Sequence, residues 1–192
     1  MSYLLKAIAL LVELAFDAVA TLFLLRVAAE ACRADFHNPL SQFVYRSTNP
    51  VLAPVRRVLP NWRRINLAAL LVAWLAMLLK RAVLFVLVFG FLPHAIGLLV
   101  LSLAELLDYA LLFYLVLVFA WSLMSMFAPD PYHPLQRLLG TITDPLLRPL
   151  RGKLTVGMID FSPTVVIVGL LLARILVARP LLDLGMQLAV AG

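Results

Sequence analysis

Two long apolar runs, Leu4–Cys32 and Leu99–Phe127, stand 95 residues apart, and each is 29 residues long. A helix of that length extends ~43 Å at ~1.5 Å per residue, more than the ~30 Å hydrocarbon core of a bilayer. Two shorter runs follow them, Ile65–Phe89 and about Ile159–Ala178. A water-soluble domain of 192 residues could not hide all four. Hydrophobic residues make up 64% of the chain and mean hydropathy is +1.03, whereas soluble domains hold ~45–50% apolar residues. Lipid is therefore part of the solvent for which this sequence is built.

The segments that join the runs are also duplicated. Asn49-Pro50-Val51-Leu52-Ala53-Pro54-Val55-Arg56 corresponds to Asp144-Pro145-Leu146-Leu147-Arg148-Pro149-Leu150-Arg151 at the same offset of 95. Ile65-Asn66 corresponds to Ile159-Asp160 at 94, so the second loop is one residue shorter. Upstream, Asn38-Pro39-Leu40 and His133-Pro134-Leu135 look like helix starts, with a capping residue before a proline. Leu40, Phe43 and Val44 then make an apolar stripe too short to span, as a helix lying along the membrane surface would. The second surface helix is expected to end near Gly140. Asn49-Pro50 is read as the start of a further short piece that Pro54 limits to about one turn. Asn49, Asn66, Asp144, Asp160 and Ser162 are the expected helix caps, and Pro180 is expected to kink or end the last helix.

The fold expected is all-α and integral to the membrane: four transmembrane helices in two parallel repeats, each with a short interfacial amphipathic helix and a Pro-rich hinge. Residues 1–192 form a single membrane domain, with internal repeats at 3–94 and 98–189. Each unit holds an even number of spans, so the two insert the same way up, about an axis along the membrane normal. Both connecting segments then share one face. Residues 33–64 and 128–158 hold ten of the 16 basic residues, and the positive-inside bias puts them in the cytoplasm. A break at Lys80-Arg81 would add a span and overturn that orientation.

The net charge of +6 would suggest nucleic acid in a soluble protein; here anionic lipid headgroups are the expected partner, with no direct nucleic-acid contact. The lone Cys32 excludes an intrachain disulfide. Ala29-Glu30-Ala31-Cys32 faintly suggests a lipoprotein cleavage site, but Glu13, Asp17 and Arg26 interrupt the run before it, so it reads as a retained first span. Isolated charges at mid-membrane cost ~2.5–3.5 kcal/mol on insertion scales. Glu13, Asp17 and Asp108 lie at helical depths that Lys80 and Arg174 can reach, so Glu13 or Asp17 with Lys80, and Asp108 with Arg174, are expected to pair inside the bundle. Such pairs could form an ion or proton pathway, fix helix register, or snorkel at the far interface. Arg56, Arg57, Arg148, Arg151 and Lys153 in the hinges are expected either to bind lipid or a protein partner or simply to set topology. His37, His94, His133 and Cys32 show no metal-ligand spacing, and no cofactor is implied. No phosphate loop, nucleophile elbow or paired-carboxylate motif points to an enzyme.

Asp35-Phe36-His37-Asn38-Pro39-Leu40-Ser41-Gln42-Phe43, the run from Asn49 to Arg57, and Thr143-Asp144-Pro145-Leu146-Leu147-Arg148-Pro149-Leu150-Arg151 with Ile159-Asp160-Phe161-Ser162-Pro163 resemble the YggT (YlmG) family. The resemblance covers nearly the whole chain. It implies a small multi-pass protein of the bacterial inner membrane without established enzymatic activity and with no catalytic residues to carry over. Family members are associated with osmotic-stress tolerance and ion uptake, or with cell division and the envelope. Organellar relatives are linked to nucleoid distribution and cytochrome assembly. In this chain Asn49 and Asn66 stand where the second copy has Asp144 and Asp160. Two functions are thus expected: a structural or interaction role in the envelope, with a lipid or protein partner or a second copy, or a transporter or channel component, for which four spans would need an oligomer.

Overall fold

The computed structural model describes residues 3–127, 130, 132–156 and 159–190. Four helices are long and apolar enough to cross a membrane: Tyr3–Ala31 (α1), Leu67–Phe89 (α3), Ala95–Phe127 (α4) and the continuous stretch Ser162–Val190. This is a multi-pass, all-α membrane architecture. Between the spans lie α2 (Pro39–Val58) and α5 (Pro134–Leu147). Two short pairings precede α3 and the last span. One is a bridge between Trp62 and Ile65, the other a two-residue ladder, β1 (Thr155–Val156) with β2 (Ile159–Asp160), antiparallel with Thr155 opposite Asp160.

α1 packs against α3 through small side chains. Ala20 and Ala28 on one helix and Ala68, Ala69 and Ala73 on the other are all buried. In lipid, where tails are as apolar as leucine, close backbone approach drives helix association. The same device closes α4 against the end of the last span. A Cβ built on Gly97 would lie 2.2 Å from the Ala189 backbone nitrogen, and one on Gly185 would lie 2.7 Å from the Leu101 Cα. α3 stops at Gly90, whose left-handed φ of 77° costs glycine nothing. It runs unbroken through Lys80-Arg81, so no extra span arises there.

The structure corrects several sequence expectations. Asn49 does not start a helix: α2 runs through it, and through Pro50 and Pro54, for 20 residues. Nor is Asp144 a cap: α5 continues past Gly140 and through Pro145 to Leu147. A proline inside a helix removes one bond, but here a continuous buried stripe outweighs it. Ser41, Val44, Thr48 and Leu52 in α2, and Leu138, Leu139, Ile142, Thr143 and Leu147 in α5, recur at helical spacing against the bundle. Pro180 does not end the last span either. That span is α6 (Ser162–Ala173), a π-helical segment (Arg174–Ala178) and α7 (Arg179–Val190). In the π segment the Arg179 N–H donates to the Arg174 carbonyl, five residues back. The wider turn accommodates a residue that cannot donate, and the chain stays helical across the bilayer. The third apolar run also begins earlier than expected, at Ala95.

Candidate functional site

Asn66 accepts the Ala69 N–H at 3.0 Å and so sets the start of α3. The Asp160 carboxylate accepts the Ser162 N–H at 2.9 Å at the start of α6, where Phe161 occupies the cap position. Ser162 itself is buried inside the first turn and is not the cap. His133 sits at the cap position of α5 without a side-chain cap bond.

Within the spans six charges gather into one belt, centred on Glu105 and Asp108 of α4. Lys80, 4% exposed, places its Nζ 2.5 Å from Asp17 Oδ1 and 2.8 Å from Glu105 Oε1. Arg81 donates from Nε to the other oxygen of Glu105 at 2.6 Å. Arg174 meets Asp108 with two parallel bonds of 2.8 Å, the fork geometry that only a guanidinium offers a carboxylate. The Tyr109 hydroxyl donates to the Asp17 carbonyl at 3.1 Å and is 2.8 Å from the Thr21 hydroxyl, tying α4 to α1. Asp17, Glu105 and Asp108 balance Lys80, Arg81 and Arg174, so the belt is formally neutral.

Two of the expected pairs thus come together, Asp17 with Lys80 and Asp108 with Arg174. Glu13 does not: it lies exposed on the outer side of α1, with no ion pair among the described residues. Lys80 needs one route into the interior, and Asp17, one turn further along α1, takes it. Glu105 was not among the expected partners, although counting from the far turn would have found it. Lys80 precedes Gly90 by ten residues and Glu105 follows Ala95 by ten, equal depths on the two arms of a hairpin.

A second cluster lies where α1 leaves the bundle. Arg26 is 1% exposed, and its guanidinium stacks 3.3 Å from the Tyr45 ring centroid. Glu30 Oε1 is 2.7 Å from Arg26 Nε and accepts a 2.8 Å bond from Arg56 Nη2. These residues, with Arg33 and Asp35, line a cavity of about 670 Å³. Asp35 accepts the His37 N–H at 2.9 Å and lies 3.3 Å from Arg137 on α5. The His37 hydrogen bonds, the backbone one foremost, with the Arg137 charge adding to them, hold its carboxyl below the usual carboxylate range. Burial pushes the Tyr45 phenol upward, the Glu30 charge adding to it. Asn38 donates to the Pro134 carbonyl at 2.7 Å, so the beginnings of α2 and α5 meet on one face.

The other hinge is closed differently. Arg151 pairs with Asp144 at 2.9 Å and lies 4.9 Å over the Trp121 ring, beside a cavity of about 430 Å³ that also reaches Cys32. Arg57, Arg148 and Lys153 are exposed and unpaired among the described residues. Arg26, Glu30 and Tyr45 had no assigned site in the sequence, because their meeting with Arg56 requires α2 to stay whole across Pro50 and Pro54.

The CCB3/YggT family model matches the chain at residues 5–87 and again at 100–181. Among curated proteins, "Uncharacterized protein YggT" of Escherichia coli K12 is 36% identical over 168 residues, 86% of each chain. "Uncharacterized protein PA0392" of Pseudomonas aeruginosa is 36% identical over 82% of this chain and 81% of its own. A Vibrio alginolyticus protein named "Uncharacterized protein in proC 3'region" is 30% identical over 89% of this chain and 93% of its own. No solved structure matches. The chain belongs to the CCB3/YggT family.

Proposed function

We propose that this is a non-enzymatic protein of the bacterial inner membrane with a structural or interaction role in the envelope, and that it engages anionic lipid or an envelope protein through the face formed by residues 33–64, α2 and α5. On this reading that face is cytoplasmic and both chain ends lie on the opposite side, as the basic bias of the connecting segments favours. The observation that carries the reading is a contrast in satisfaction. Within the spans, Lys80, Arg81 and Arg174 are each answered by a carboxylate. At the connecting face, Arg26 and Arg56 share one oxygen of Glu30 in a cavity of about 670 Å³, and Arg33, Arg57, Arg148 and Lys153 have no ion pair among the described residues. Crosslinking in membranes followed by affinity capture tests it. A captured lipid or envelope partner lost on charge reversal of both hinges supports the reading, and unchanged capture sinks it.

A second reading, a transporter or channel component that contributes to osmotic tolerance, draws on the π-helical segment that begins at Arg174 and on the partial exposure of the Arg81 and Arg174 side chains, 31% and 22%. Such segments are frequent where helices do work. A deletion strain under hyperosmotic load, complemented with Arg174→Gln, tests it: full rescue by the variant would remove the belt from any transport role.

A further inference from the structure

We infer that the cavity between the end of α1 and α2 is a binding site for a phosphate group, held by Arg26, Arg33 and Arg56. The inference rests on the reading that this face meets anionic ligands, and it gives that reading a place and a chemistry.

Arg26 carries the argument. Its side chain is almost wholly withdrawn from solvent and yet lines the cavity. Its Nη1 is buried without a hydrogen-bond partner among the described residues, and so is the Nε of Arg56. Arg26 Nε is 2.7 Å from Glu30 Oε1 but off the hydrogen-bond direction, so the contact is an ion pair that leaves the donor unused. Buried donors left unmade are costly, more so on a charged group. One carboxylate oxygen, Glu30 Oε1, serves both guanidinia. The other acid in the wall, Asp35, is already engaged by His37 and Arg137. The buried nitrogens of Arg26 and Arg56 therefore lack acceptors, and the exposed Arg33 adds a third cation to the wall. A tetrahedral oxyanion supplies several acceptor oxygens at once, and the planar fork of arginine matches it. The Tyr45 ring holds the Arg26 guanidinium in place beforehand.

The second half of the chain offers an internal comparison. Ninety-five residues on from Arg26 stands Trp121, and from Arg56 stands Arg151. There a single arginine is answered by Asp144 and by the indole face. Among the described residues, the buried guanidinium nitrogens without a partner all lie at the first hinge.

Phosphate at this level could come from a phospholipid headgroup or from free phosphate. Native mass spectra of the full chain in detergent, with phosphatidylglycerol added, test the site, and inorganic phosphate and phosphate-free diacylglycerol form the comparison arms. Wild type is expected to retain one phosphatidylglycerol per chain and no diacylglycerol. Arg33→Asn with Arg56→Gln is expected to retain it roughly ten-fold less well, and Lys6→Gln, on α1 away from both hinges, to retain it as wild type does; Arg148→Gln with Lys153→Gln forms the second-hinge arm. If inorganic phosphate displaces the lipid from wild type, free phosphate shares the site; if it does not, the site is one for headgroups. Should the Arg56 variant fail to fold, Arg33→Asn alone serves, because Arg33 is exposed and asparagine keeps its positive φ of 55°. Loss of lipid only in the second-hinge variant overturns the site while leaving the face as the docking surface. Retention in both variants overturns the docking surface as well.

Discussion

Removing the Lys80 ammonium should cost far more than removing one carboxylate beside it. Lys80 is nearly sequestered, with a side-chain exposure of 5%, and it is held by two carboxylates from two other helices. Lys80→Met keeps the stem and deletes the charge, stranding Asp17 and leaving Glu105 with Arg81 alone. Breaking a buried pair from one side typically costs ~3–5 kcal/mol. Asp17 is 29% exposed and Glu105 retains a partner, so the lower end, about 3 kcal/mol, applies. For a chain of this size that lowers Tm by roughly 6–12 °C. Asp17→Leu alone leaves Lys80 its Glu105 contact, and should cost about 1–2 kcal/mol. The double variant should lose about 1–2 kcal/mol less than the sum of the two, since side chains in contact couple on that scale. Thermal unfolding in detergent, followed by tryptophan fluorescence, reads all four corners of the cycle. Strictly additive losses would refute the claim that Lys80 and Asp17 act as a pair.

Further outcomes follow from the same geometry. Gly97→Ala should destabilise by at least about 3 kcal/mol, because its Cβ would meet the Ala189 backbone at 2.2 Å, whereas Gly169→Ala, with nothing within 4 Å, should be neutral or stabilising by up to about 1 kcal/mol in the same melts. Asn66→Ala should cost about 1 kcal/mol through loss of the bond to the Ala69 N–H, with Asn66→Asp retaining most of it. Asp35 has a depressed folded-state pKa, so the unfolded chain takes up its proton first as pH falls. Its contribution is whole above the ordinary carboxylate range and is lost as pH falls through the folded value. The difference in denaturation midpoint between wild type and Asp35→Ala should therefore shrink from about pH 6 to about pH 3; a constant difference would contradict it.

How much of this could be read from the residues depends on whether distance along the chain translates into distance in space. For spans it does. A fixed rise per residue turned the spacing of Asp17, Lys80, Asp108 and Arg174 into depths, and the matched depths met. Glu105 becomes legible only when depth is counted from the turn at Gly90, which sets it level with Lys80. At Asn49 and Asp144 a local rule competed with a tertiary one. Proline marks a boundary in an isolated helix, but the stripes ending in Leu52 and Leu147 are buried only if each helix continues, and burial prevailed. The cationic cavity was out of reach for that reason, since Arg56 reaches Glu30 only from the far end of an unbroken α2. Of the two outcomes expected at Pro180, the structure excludes an end to the helix, and no sequence rule gave the π turn that precedes it.

The proposed function requires that both hinges face the same side of a bilayer, the cytoplasmic one. Single cysteines placed by Arg57→Cys and Lys153→Cys in a Cys32→Ser background, and probed with a membrane-impermeant maleimide in intact cells and again after permeabilisation, test it most directly. Both positions are exposed in the structure. Protection of both in intact cells and labelling of both after permeabilisation is the predicted result; labelling of either in intact cells would contradict it.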